Sequence, residues 1–244
     1  MVVIIFMIAL IIGSFLNVVI YRLPLGESIL FPSSYCPKCN IKLKWYELIP
    51  VIGYFLNGGK CRYCQEKISL QYPLVEIFNG ILWLFLYIKF GLTLEFFYFS
   101  LLTSLLLSIS VIDLQHTIIP DSLNLMGLIG GLVYIFSSSY LTIGKNALGL
   151  LVGGGAFLLI ALLTKGGMGG GDIKLMAVMG LWFGWPSILS IMFLSFIIGA
   201  IASIGLLLLK IKGCKDIIPF APFIFIAVYL NFFLGEKFII FFLS

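Results

Sequence analysis

Met168-Gly169-Gly170-Gly171-Asp172-Ile173-Lys174 sets one carboxylate in a glycine loop between long apolar stretches. An acid at the edge of a membrane helix is costly, so its first reading is functional. Glycines let the backbone turn tightly and let another chain approach. The bland reading is a polar turn whose Asp172 caps the following helix, a position where aspartate is favoured. The fold follows from what flanks the loop. Apolar runs of about 17 residues or more recur on both sides, each long enough for a membrane helix.

Composition agrees. Of the 244 residues, 61% are hydrophobic and 10% charged, and the mean hydropathy is +1.18. A soluble domain of this length could not hide that much apolar surface. The expected fold is an all-α polytopic membrane protein of about eight transmembrane helices with a small cytoplasmic zinc-knuckle domain. No dense basic run coincides with a nucleic-acid reading motif, so membrane lipid rather than nucleic acid is the expected surroundings.

Residues 1–19 are the expected first span, uncleaved, because no basic segment precedes the run. Residues 20–72 interrupt the pattern with Arg22, Lys38, Lys42, Lys44, Lys60, Arg62 and Lys67. Apolar runs then resume at about 73–92, 96–112, 122–142, 147–164, 173–185, 187–209 and 217–235, giving about seven spans within 73–244. The 173–185 run is short, and needs tilt or a thinned bilayer to cross. A final piece, Phe238–Leu243, is too short to span. With the N-terminus outside, the inside loops and their edges also hold Lys165, Lys174, Lys210, Lys212 and Lys215, twelve of the fifteen basic residues. That bias sets the orientation and puts Asp113, Asp121 and Asp172 at cytoplasmic ends of spans.

Cys36-Pro-Lys-Cys39 and Cys61-Arg-Tyr-Cys64 are two CxxC pairs separated by 21 residues. Each can offer two thiolates to one tetrahedral ion, so Cys36, Cys39, Cys61 and Cys64 read as a structural zinc site in a reducing compartment. Redox-active or idle thiols are the alternative. A metal would help fold a segment too small for its own core. The fifth cysteine, Cys214, reads as an apolar filler.

Val111-Ile-Asp113-Leu-Gln-His-Thr-Ile-Ile-Pro-Asp121 is a second acidic site. Asp113 closes an apolar helix, where the dipole disfavours negative charge. Asp121 follows a proline and has the position of a helix-start residue. If Asp113 and Asp172 meet, their titrations separate: one ionised carboxylate can activate water while the protonated one polarises a carbonyl. His116, the one histidine, reads as a polar loop residue.

Together these stretches resemble the type IV prepilin peptidases, bifunctional leader peptidase/N-methyltransferases of the bacterial inner membrane. The resemblance is carried by Gly13-Ser-Phe-Leu-Asn-Val-Val-Ile-Tyr-Arg-Leu-Pro24, both CxxC pairs, Ile68-Ser-Leu-Gln-Tyr-Pro-Leu-Val-Glu76, the Asp113–Asp121 stretch and Gly169-Gly-Gly-Asp172, which fits the GxGD signature of intramembrane aspartyl proteases. It implies that Asp113 and Asp172 are the catalytic pair and that Asp121 is not. It implies prepilin or pseudopilin substrates, of type IV pilus or type II secretion systems, cut after a glycine at the cytoplasmic face. It further implies methylation of the new N-terminus from S-adenosylmethionine, associated with residues 20–72, where Glu47, Gly59 and Lys60 align with positions tied to that activity. From the residues alone, a proton-coupled transporter or a scaffold with a zinc-knuckle docking loop is the competing reading.

Overall fold

A computed structural model describes residues 1–138, 143–211, 213 and 216–243, with residues 138 and 236–243 described by backbone alone. Lys212, Cys214 and Lys215, expected at the last inside loop, lie outside the described residues, as does the 139–142 end of the fourth expected span. Every described element is helical apart from two isolated β-bridges. The helices are α1 (Val2–Arg22), α2 (Ile52–Leu56), α3 (Gln71–Phe90), α4 (Leu94–His116), α5 (Asp121–Ser138), α6 (Ile143–Leu163), α7 (Gly170–Phe183), α8 (Ser187–Leu208) and α9 (Ala221–Leu243). A long helix stands at each of the eight expected places. Five, α1, α3, α4, α6 and α8, are long and apolar enough to cross a membrane. The protein is therefore an all-α, multi-pass membrane protein.

The helix ends correct the sequence reading in two places. The 217–235 run begins its helix only at Ala221, because Pro219 and Pro222 confine the start; Pro222 sits in the first turn, where its missing N–H costs nothing. The Phe238–Leu243 piece is the end of the same helix, with no breaker between.

The chain divides into two compact units, Met1–Ser108 and Ile109–Ser244, the division falling within α4. In the first, α1 packs on α3 through polar side chains as well as apolar ones. Asn79 Nδ2 donates to the Ala9 carbonyl at 2.7 Å, Ser104 Oγ to Asn79 Oδ1 at 2.8 Å, and Trp83 Nε1 to Ser104 Oγ at 2.9 Å. The first bond joins α3 to α1 and the other two join α3 to α4; without a hydrophobic drive between helices in lipid, such bonds and close backbone approach hold the three together.

In the second unit the organising helix is α7. Its fourteen residues rise about 21 Å, short of a ~30 Å hydrocarbon core. Yet Leu175, Met176 and Met179 on it are fully buried. Gly149 of α6 and Gly180 of α7 bring the two backbones into direct contact; a Cβ on Gly180 would lie 2.8 Å from the Leu150 nitrogen. Asn146 Nδ2 of α6 donates to the Leu181 carbonyl at 2.7 Å. From α5, the Gly127 carbonyl accepts Trp182 Nε1–H at 2.8 Å, and Tyr134 stacks on the Trp182 ring at 5.4 Å. The helix that starts in the glycine loop is thus fixed by its neighbours.

Candidate metal centre and carboxylate site

Residues 35–42 and 60–67 are two copies of one turn. In each, the residue before the first cysteine bridges antiparallel to the residue six positions past that cysteine: Tyr35 with Lys42, Lys60 with Lys67. The first cysteine's N–H donates five residues ahead, Cys36 to Ile41 at 3.0 Å and Cys61 to Glu66 at 2.8 Å. Its carbonyl accepts from the residue after the second cysteine, Asn40 at 2.8 Å and Gln65 at 2.9 Å. Those two residues carry positive φ, 55° and 61°. The turns point all four sulfurs inward, within 4.8 Å of one another, with Cys36 Sγ and Cys64 Sγ 3.8 Å apart. A tetrahedral ion with bonds of about 2.3 Å needs sulfurs about 3.8 Å apart, so the donor set fits. The backbone N–H groups of Cys64 and Tyr63, acting against burial, bring the Cys61 thiol down to about 7. At Cys39 and Cys64 the backbone hydrogen bonds are outweighed by burial and the neighbouring thiols, which push both thiols up, so a cation at the centre would be needed to hold all four as thiolates.

The other residues tied to this segment have visible local work. Glu47 Oε2 accepts the Lys44 N–H at 2.7 Å, closing a one-turn helix at 45–48. Gly59 has φ +68°, and a Cβ there would lie 2.8 Å from the Tyr54 hydroxyl. Lys60 is exposed, and lines one cavity with Glu47.

The carboxylates separate into two kinds. Asp121 is exposed, opens α5, and pairs with Lys174 at 2.7 Å; both side chains are more than half exposed. Asp113 is 5% exposed in the last turn of α4, and its Oδ2 accepts the Ala221 N–H at 3.0 Å. That donor is one of the unsatisfied N–H groups at the start of α9. It is held in place because Phe220 packs with Phe157 of α6 and Phe196 of α8, ring centroids 5.3–5.9 Å apart. Sequence reading missed this partner; the only signal was Pro219-Phe-Ala-Pro222, which marks a helix start but not what it faces.

Asp172 sits in the first turn of α7, outside the five helices able to cross a membrane. It does not cap the helix: the N-cap is Gly169, and a Cβ there would lie 3.0 Å from Asp172 Oδ2. Its Oδ1 is buried without a partner. Burial first, then the nearby Asp113 charge, push the Asp172 carboxyl up from 3.8 to about 7, against a hydrogen bond from Gly169. Asp113 and Asp172 therefore lie within electrostatic reach of each other. The loop glycines are only partly open. A Cβ at Gly171 would lie 2.8 Å from Ile119 Cβ, whereas Gly170 has nothing within 4 Å. His116 is exposed at the end of α4.

Residues 7–90 match a family model described as the Bacterial Peptidase A24 N-terminal domain, and residues 100–204 one described as the Type IV leader peptidase family. The prepilin leader peptidase/N-methyltransferase of Aeromonas salmonicida strain A449 is 34% identical, covering 96% of this chain and 90% of its own. Proteins of the same name from Pseudomonas aeruginosa (34% identical; 95% and 89%) and Bacillus subtilis strain 168 (34%; 99% and 97%) are similar over comparable lengths. No solved structure gives a significant match.

Proposed function

Because this chain belongs to the type IV leader peptidase family, we propose that it removes the leader of prepilins or pseudopilins and then N-methylates the new N-terminus, with Asp113 and Asp172 as the catalytic pair. The enzyme sits in the bacterial inner membrane with its cleavage site at the cytoplasmic face. The observation that carries the reading is that the charge of buried Asp113 acts on Asp172, half-buried with one oxygen fully enclosed, 59 positions later in sequence (172 − 113), while Asp121, nearer in sequence to Asp113, is held in an exposed ion pair.

The division of labour follows from the partners. Asp113, with the Ala221 N–H on its Oδ2, holds the negative charge and takes a proton from water. Asp172, raised to about 7, keeps its proton and donates from its free oxygen to the scissile carbonyl. The water oxygen bonds to the carbonyl carbon. Asp113 passes its proton to the amide nitrogen as the C–N bond breaks, and the carbonyl oxygen returns its proton to Asp172, leaving an acid on the leader that ionises to water and an amine on the pilin.

Methyl transfer belongs to residues 20–72. S-adenosylmethionine supplies a methyl group that moves to the amine nitrogen as the carbon–sulfur bond breaks, its electron pair staying on sulfur and one amine proton going to water. Cys36, Cys39, Cys61 and Cys64 would hold a zinc ion, which would join the two knuckles and leave no position for substrate. Glu47 and Gly59 shape this segment, and Lys60 faces the cavity beside it.

The test is processing of a prepilin by membranes carrying the wild type, Asp113→Asn or Asp172→Asn. Wild-type cleavage with loss in both variants supports the reading. Wild-type rates in either variant remove that aspartate from the chemistry. Membranes that never cleave a prepilin leave the transporter or scaffold reading in its place. Asp172→Asn should still methylate a pre-cleaved pilin; a folded variant lacking both activities contradicts two separate sites.

A further inference from the structure

The segment 20–72 is basic, yet Leu48-Ile-Pro-Val-Ile-Gly-Tyr-Phe-Leu-Asn-Gly-Gly59 within it carries no charge over twelve residues. A run of that length is too short to span a bilayer; it is either the core of a small domain or a piece that enters the bilayer from one side. Exposure decides between them. Ile52, Phe55 and Leu56 stand at i, i+3 and i+4 of α2, on one face of the helix, and are 48%, 67% and 77% exposed. None of the three lines the cavity that Glu47 and Lys60 share, whereas Gly53, Tyr54 and Asn57, on the other side of α2, do.

Two contacts give the height of α2 against the helices able to cross a membrane. The Val51 N–H, at its start, donates to Glu76 Oε2 at 2.7 Å. Glu76 is the sixth residue of α3, and a Cβ on Gly13 of α1 would lie 2.7 Å from its Cα. At 1.5 Å per residue, Glu76 is about 7 Å inside the near end of α3, and Gly13 about 13 Å back from Arg22 at the end of α1. The Glu76 side chain reaches back toward that end, which sets α2 where acyl chains give way to headgroups. Free N–H groups are costly at that depth; those of Val51, Gly53, Phe55, Asn57, Gly58 and Gly59 all donate within the protein. We propose that α2 is an interfacial helix that sets its Ile52, Phe55 and Leu56 face into the adjoining leaflet, with both knuckles on the water side. The next residues, 60–67, carry exposed Lys60, Arg62 and Lys67 against one acid, Glu66, a balance that suits anionic headgroups. Lipid fits this face better than a protein partner, because the face lies within the length of two membrane-crossing helices and none of its three side chains can hydrogen-bond.

The experiment uses the full-length wild-type chain in vesicles of phosphatidylethanolamine and phosphatidylglycerol that carry a diazirine on an acyl chain, with metal content as a fold control. After illumination and digestion, the 48–59 peptide should carry about tenfold more lipid than the 61–67 peptide, because acyl chains reach the helix and not the knuckle. Label on 48–59 no higher than on 61–67 overturns the proposal. Phe55→Ser combined with Leu56→Ser should lower the label on 48–59 by about threefold or more at unchanged metal content; full label in that variant means that this face is not what meets the lipid. Photoreactive p-benzoylphenylalanine in place of Phe55 identifies the occupant, beside the same residue in place of Phe78, an exposed position on α3. Adducts of phospholipid mass at both positions support the proposal. A cross-linked pair of chains from position 55, an adduct there with added prepilin, or phospholipid at position 78 alone overturns it.

Discussion

The cysteine knuckles and the aspartate pair each need side chains to meet, and the chain brings them together over different distances. Each knuckle is complete within eight residues: bridge, cysteine turn and positive-φ residue repeat at the same offsets. The ligand directions are set by local turns before the two knuckles join. The aspartates have no local template. Asp113 ends α4, Asp172 begins α7, and the donor to Asp113 lies 108 residues away at α9. Their geometry depends on α5, α6 and α8 holding those ends still. Damage near a knuckle should therefore stay local, whereas damage far from the aspartates should still reach them.

The largest effect should come from the carboxylates themselves. Asp113→Asn or Asp172→Asn should lower the cleavage rate by about a hundredfold or more at matched expression, within the range of general acid–base catalysis, and Asp121→Asn by less than about threefold. Prepilin processing rates in membranes measure this, and a reversed order for Asp113 and Asp121 means the wrong partner for Asp172. Next comes Cys36→Ser. Metal per chain should drop from about one to near zero, since a structural site needs its fourth ligand. Methyl transfer should fall with it, while cleavage falls less than in either aspartate variant; elemental analysis beside both assays checks the contrast. Equal collapse of the two activities breaks it.

Packing gives the third. Gly180→Ala pushes α7 off α6, at a cost of about 1–3 kcal/mol, and should lower cleavage although Gly180 is two turns or more from Asp172. Thermal melting and cleavage rates should move together. Titration gives the fourth. A folded value near 7 against 3.8 means that the fold holds a proton the unfolded chain has released. The associated stability is full below 3.8 and lost as pH rises through about 7. Cleavage should fall over the same alkaline limb, and Asp172→Asn should melt higher than the wild type at pH 8.5 but not at pH 5. The smallest effect belongs to Lys174→Ala, which breaks the exposed pair with Asp121 at a cost of less than about 1 kcal/mol, further reduced by salt.

How much of this was legible follows the same divide. CxxC spacing announced the knuckles because their geometry is local. Hydropathy placed all eight long helices because lipid-facing length is a property of contiguous sequence. The two important aspartates could be told from Asp121 only weakly, since burial of Asp113 and exposure of Asp121 are decided by helices elsewhere. The glycine loop looked open to a passing substrate, but Gly169 and Gly171 make room for Asp172 and Ile119, which no local pattern reveals. Nor does periodicity reveal that the first N–H groups of α9 face an acid 108 residues earlier, or that Asn17 and Glu76 share a cavity wall with the cysteines.

The hydrogen bond from Ala221 to Asp113 also bears on when the enzyme comes into being. A ribosome that has just placed Asp113 must add 108 more residues before that donor exists. At about 5–20 residues per second this takes roughly 5–20 seconds. Asp172 is made 59 residues after Asp113 and Ala221 a further 49, so for roughly 2–10 seconds both acids exist while Asp113 still lacks its backbone donor. The Asp113 carboxylate therefore gains its backbone donor only once the growing chain has reached the first residue of α9.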